Sequence, residues 1–466
     1  MHRLFLITCL LISLIVQSQD LKYYRYDTDF LSKEFHQNRR ETLRKMMPEN
    51  SLTILFSSPV RNRANDVDFQ YHQNPNFYYL SGLTEPNAML FIFKDSLTIG
   101  GVHSNECLFL QNRDYKKESW AGRRLGARGA REMFGIAAFV NEAFDTMAIP
   151  YSNFSQIFFA PFPKGNTDEK SEPADLYDLI EHLKKKCSYT AEKADHQMLS
   201  KWMTLMREIK QPEELGLMRK AITMTCDGQI EMMKFLEPGK TEYQVQAVAE
   251  YVFRLNGSEY NGYPSICGGA ENSCILHYTT NRKKLETNEV LLLDLGAEYH
   301  GYTADVTRTL PVSGKFTEAQ KAIYQIVYDA QEAAFKECKP GNEFKAPHNA
   351  AVQVIKQGLH QLEIIKDQKE YRRYFTHGTS HYLGLDVHDV GSRELLKPGN
   401  IITVEPGIYI PEGSPCDPKW WKIGIRIEDD ILITSTGHEN LSVKAPRTIE
   451  KIEEMMKMKS LFNSLK

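Results

Sequence analysis

The second half of this chain repeats one arrangement, two helices followed by an apolar hairpin, and that repeat limits the folds open to it. A helical segment ends at Leu236-Glu237-Pro238-Gly239, and another, capped by Thr241, runs towards Gly257. A helix starting near Thr317 then ends at Cys338-Lys339-Pro340-Gly341, and another runs through Ala350 to Leu362. The first hairpin sets 290–295 against 302–310, and the second sets 401–405 against 424–428. Two similar halves specify one sheet-centred α/β (α+β) domain with a pseudo-twofold axis. Pro212, followed by Glu213 and Glu214, opens a helix near the start of this domain.

Four acids stand in the hairpins where apolar residues are expected: Asp294, Asp305, Glu405 and Glu428. The midpoint of 294 and 305 falls in the first turn, and that of 405 and 428 in the Gly/Pro-rich second loop, so each hairpin is expected to set its two acids opposite one another. Opposed residues have Cβ atoms about 4.5–5.5 Å apart. Like charges at that distance on a partly buried sheet repel and raise one another's pKa. Two divalent cations balance four carboxylates and hold a hydroxide as nucleophile. Taken singly, each acid is as readily a solvent-facing strand or turn residue; both hairpins doing the same thing favours the metal.

Between the hairpins lies His377-Gly378-Thr379-Ser380-His381-Tyr382-Leu383-Gly384-Leu385-Asp386-Val387-His388-Asp389. One histidine there is more often structural, but three among glycines point to a site. His377 and His381 have the spacing of a helical zinc pair, yet the central glutamate of that motif is missing, which disfavours a thermolysin-like zinc protease. Oxygen ligands with one imidazole suit Mn²⁺ best, with Co²⁺, Fe²⁺ and Zn²⁺ also compatible.

Residues 20–200 mix strand-like runs such as Leu52-Thr53-Ile54-Leu55-Phe56 with helical and loop segments, as a smaller α/β domain, and 201–455 hold the repeat. With 57 Lys plus Arg against 60 Asp plus Glu, the net charge of -3 gives no reason to bind nucleic acid or anionic lipid. Arg3, the apolar run 4–16 and the polar residues after it have the layout of a signal peptide, residues 1–18. The run falls short of the about 20 residues a membrane span needs, so a secreted or periplasmic protein without a stable anchor is expected. Seven of the eight cysteines lie beyond Cys9, without CxxC or disulfide-like spacing, and read as small buried hydrophobes.

Together these features resemble aminopeptidase P, the Xaa-Pro aminopeptidase branch of the pita-bread metallopeptidases. The ligand order Asp294, Asp305, His381, Glu405, Glu428 and the histidine segment match that family. So do Tyr71-His72-Gln73-Asn74-Pro75-Asn76-Phe77-Tyr78-Tyr79-Leu80-Ser81-Gly82, Glu85-Pro86-Asn87-Ala88, and Trp120-Ala121-Gly122-Arg123-Arg124-Leu125-Gly126. Without the resemblance, the aromatic stretch reads as core and the arginines as a solvated face.

The resemblance implies a pita-bread catalytic domain in which Asp294 binds one metal, Asp305 and Glu428 bridge two, and His381 and Glu405 complete the set. It implies that His388 stabilises the oxyanion, that Glu405 shuttles a proton, that His277 lies in the substrate pocket, and that His377 sits near the proline ring. Arg426, two residues before Glu428, shares its strand face and forms a network with Tyr409 and Asp66. Trp120 becomes a substrate contact within an oligomer, a dimer or tetramer. The expected substrates are peptides with proline second. Prolidase, methionine aminopeptidase and a non-catalytic peptide-binding pita-bread protein are the alternatives. The second lacks this N-terminal domain, and the third typically loses ligands.

Overall fold

The computed structural model describes residues 24–189 and 195–464, in two compact units, Met1–Met206 and Arg207–Lys466. The expected signal peptide and Cys9 lie outside the described residues. Among those described, no helix is long and apolar enough to cross a membrane, and all seven cysteines are free thiols.

The first unit is built on a five-stranded mixed sheet in the order Ala137–Val140, Val102–Leu110, Met89–Ile99, Ser51–Phe56, Gln156–Phe159. The two outermost strands pair parallel to their neighbours and the inner pairs are antiparallel. Phe91, Phe93, Phe109 and Phe144 pack with Leu179 and Leu183 of the helix Leu176–Lys186. The helix Pro75–Ser81, capped by Asn74 and ended by Gly82 in the left-handed region, buries Phe77, Tyr78 and Tyr79. Those aromatics are core, as their composition alone indicates. The helix Tyr115–Ala121 buries none of its residues.

In the second unit each half starts with a helix pair: Pro212–Phe235 with Glu242–Leu255, then Glu318–Glu337 with Ala346–Gln361. Gln211, Thr241 and Thr317 each close a capping box with the residue three positions on, which satisfies amide groups the first turn leaves free.

Both hairpins are split, and the splits correct the expected pairing. In the first, Val290–Leu295 pairs with Val306–Pro311, and Ala297–Tyr299 continues against Tyr302–Thr303 in the same register. Asp294 therefore faces Thr307, not Asp305. Continued past Leu295 and Val306, the register sets Asp305 opposite Gly296, where a Cβ would lie 1.8 Å from the Ala304 carbonyl oxygen. The turn explains the shift: His300 (φ 49°) and Gly301 (φ 86°) form a two-residue connection, one position later than the midpoint assumed.

In the second hairpin, Ile401–Val404 pairs with Asp429–Ile433, and Gly407–Ile410 with Ile423–Arg426. The expected partner of 401–405, residues 424–428, instead serves the far arm. Both short ladders keep one register, which places Glu405 and Glu428 opposite each other in the gap between them.

Candidate metal centre

Asp294 is the last residue but one of its strand, Asp305 precedes the partner strand, and Glu405 and Glu428 occupy the second gap; interrupted ladders of this kind re-aim side chains. His381 comes from the irregular segment between the hairpins, where its backbone N–H donates to Thr403 Oγ1 at 3.1 Å. Ligand atoms of Asp305, His381 and Glu428 lie within 4.8 Å of one another. His381 Nε2 is 3.4 Å from Asp305 Oδ2 and 3.6 Å from Glu405 Oε1. The Tyr382 carbonyl accepts from His381 Nδ1 at 2.9 Å, which turns Nε2 towards the carboxylates. The donor set, oxygen-rich with one oriented imidazole, fits divalent metal.

The site's charges bear on one another strongly. Burial and the neighbouring Asp294 push Asp305 up to about 7. Burial, with Asp305, Glu405 and Asp294 close by, drives Glu428 well above the carboxylate range. Burial works against charge on Glu405, yet His377, His381 and Arg426 hold it down at about 2. His381 is raised to about 9 against its burial by Asp305 and Glu405. Such mutual shifts are what closely packed buried acids impose on one another, and a nearby positive charge relieves them.

Arg426 Nη2 donates to Asp294 Oδ2 at 2.5 Å and Nη1 to the Tyr409 hydroxyl at 2.9 Å. That hydroxyl is 2.7 Å from His377 Nε2, and His377 Nδ1 is 3.4 Å from Glu405 Oε2. Arg426 only donates, so the Tyr409 oxygen accepts from it, while the Gly378 carbonyl accepts from His377 Nδ1 at 2.7 Å. The His388 ring packs edge-on to His381 at 4.5 Å between centroids, and burial together with His381 lowers its pKa. The carboxylates and His381 open into a cleft of about 740 Å³ that His277, His377, His388 and Arg426 also line.

Trp120 and Asp66 belong to the first unit. Trp120 is 92% exposed on its short helix, and Asp66 is exposed in the turn between two short strands, Asn62–Ala64 and Val67–Asp68.

Several residues of the site escaped the sequence reading. The Tyr263 hydroxyl lies 2.6 Å from Asp294 Oδ1 and 2.5 Å from Asp305 Oδ1. Thr307 donates to Glu428 Oε2 at 2.6 Å, and Asp430 accepts the Asp305 N–H at 3.1 Å. Arg308, fully buried, donates to the Glu428 carbonyl and to Asp429. Thr307 was within reach: two residues after Asp305, it shares that residue's face. Tyr263 lies far off in the chain and carries no local signal.

Residues 216–435 match metallopeptidase family M24, and residues 36–151 match the aminopeptidase P N-terminal domain. The Xaa-Pro aminopeptidase of Escherichia coli (strain K12) is 34% identical over 447 residues, covering 91% of this chain and 98% of its own. Proline aminopeptidase P II from Yersinia pestis superposes with a TM-score of 0.82 at 34% identity, over 92% of this chain and 100% of that one. Aminopeptidase PepP from Pseudomonas aeruginosa gives 0.83 at 33%, over 92% and 99%. The chain thus belongs to metallopeptidase family M24, with an aminopeptidase P N-terminal domain ahead of its pita-bread catalytic domain. Divalent metal is the cofactor class that membership implies.

Proposed function

We propose that this protein is an aminopeptidase that hydrolyses the bond before a proline in second position, with two divalent cations, Mn²⁺ foremost, held by Asp294, Asp305, His381, Glu405 and Glu428. The observation that carries the reading is the convergence of both hairpins and the histidine segment on the floor of one cleft. Cations bound there supply an activated water and polarise the scissile carbonyl.

The chain's own groups do the rest. Arg426 and Tyr263 hold Asp294 in place, and Thr307 holds Glu428. Glu405, kept ionised by the histidines, takes a proton at Oε2 from the attacking water and passes it to the leaving proline nitrogen. His388, neutral in its lowered range, donates to the oxyanion. His377, oriented by Tyr409, sits where the proline ring enters, and His277 lines the opening. The match over nearly the whole length of Xaa-Pro aminopeptidases favours this activity over a dipeptide-restricted prolidase. Export by the first 18 residues and assembly into a dimer or tetramer, with Trp120 reaching a partner's cleft and Asp66 joining the Arg426–Tyr409 pair, belong to the same proposal.

The test is hydrolysis of Xaa-Pro-Yaa, Xaa-Ala-Yaa and Xaa-Pro peptides by the purified protein with Mn²⁺, beside an Asp305→Ala variant. Cleavage confined to proline peptides, extending to tripeptides and lost in the variant, is expected. Cleavage of dipeptides alone turns the assignment to prolidase, and no cleavage by folded, metal-loaded protein turns it to peptide binding.

A further inference from the structure

Gln229 and Gln331 do not line the cleft, yet each is completely buried against the strands that carry the acids. Gln229, on the helix Pro212–Phe235, donates from Nε2 to the carbonyls of Leu293 (3.2 Å) and Val306 (2.8 Å). Gln331, on the helix Glu318–Glu337, donates from Nε2 to the carbonyls of Val404 (3.0 Å) and Ile427 (3.2 Å), and to Asp429 Oδ2 (2.9 Å). Leu293 precedes Asp294 and Val306 follows Asp305; Val404 precedes Glu405 and Ile427 precedes Glu428. The opening helix of each half therefore sends one amide across the two arms of its own hairpin, next to both acids.

Ile427 lies within the second split, and Leu293, Val306 and Val404 lie in the rungs that lead into the splits; a buried acceptor left unmet there costs about 1–3 kcal/mol. A carboxamide nitrogen carries two hydrogens in a fixed plane, so it spans two carbonyls at a set separation; a hydroxyl offers only one hydrogen, and an ammonium adds charge. The carbonyls accept only, which forces the amide's orientation even though Gln229 Oε1 finds no partner among the described residues. Bridging is kept at the expense of that oxygen.

We propose that Gln229 and Gln331 are matched positioning residues, each holding its hairpin splayed at the spacing that lets its carboxylates share two divalent cations. The inference rests on the two-metal reading. Gln229→Met and Gln331→Met keep length and helix preference while removing the donors. Metal-free full-length protein is titrated with Mn²⁺ and followed by calorimetry and by the paramagnetic resonance of free Mn²⁺, alongside melting temperature, kcat and KM. Phe91→Ala, in the first unit, serves as the control for destabilisation alone.

Wild type is expected to bind two ions. Each folded glutamine variant should lose about 10–100-fold in affinity for at least one of them, with kcat falling more than KM rises, while Phe91→Ala keeps wild-type affinity. Wild-type Mn²⁺ binding by either folded glutamine variant overturns the pairing. If neither variant folds, the amides are determinants of the fold and the positioning role is overturned. If wild type itself binds no divalent ion, the metal reading has failed and takes the inference with it.

Discussion

The two units bury opposite kinds of chemistry. The first is closed by phenylalanines stacked on a sheet, with Phe109 and Phe144 edge-to-face at 4.9 Å. The second gathers six carboxylates, Asp294, Asp305, Glu405, Glu428, Asp429 and Asp430, against two buried guanidinium groups, Arg308 and Arg426. Apolar burial is favourable without any further partner. Buried acids are not: they outnumber the guanidinium groups beside them, a surplus that divalent cations would offset. One interior is self-sufficient, while the other has the chemistry to receive a cation.

The strongest way to break this comparison is to damage each interior once. Arg308→Met leaves Asp429 and the Glu428 carbonyl without their buried donor, and should cost about 3–5 kcal/mol in denaturant unfolding and weaken Mn²⁺ binding. Phe91→Ala should cost a similar 3–5 kcal/mol through its cavity, yet leave Mn²⁺ binding alone. Equal weakening of the metal by both would erase the distinction.

Acid and base should also act oppositely on the two interiors. Burial holds His36, in the first unit, down at about 3 from 6.5. Its neutral form therefore contributes stability above about pH 6.5 that is lost as pH falls through 3. Burial raises Glu214, in the second unit, to about 7 from 4.5. Its contribution is present below about pH 4.5 and is lost as pH rises through 7. Unfolding free energies measured from pH 4 to 8 should fall less steeply with rising pH in Glu214→Gln than in wild type, and an unchanged slope contradicts the assignment. The smallest effect is expected from Thr317→Ala, which opens the capping box of the helix that carries Gln331. A cost of about 1 kcal/mol should appear in urea titration, with catalysis intact.

What was legible in the sequence follows from how local each signal is. Thr241, Thr317 and Pro212 announced their helices because capping involves neighbours a few residues apart. The second hairpin's register was readable because both ladders keep it. The first was misread by two positions, because the acids were assumed to oppose one another, whereas His300-Gly301 sets the turn. A glycine directly before the returning strand was the clue that outweighs the symmetry of the acids. Tyr263 and the glutamines could not be read, because their partners lie across the fold and their residue types are ordinary in core and helix.

The broken register of the second hairpin has a consequence for how such a molecule can change. The arm formed by Gly407–Ile410 and Ile423–Arg426 lies beyond the acids, and the loop joining it, 411–422, lies farther out still. Residues added to or taken from that loop change the length of the outer arm while the ladder on each side of the gap keeps Glu405 and Glu428 in step.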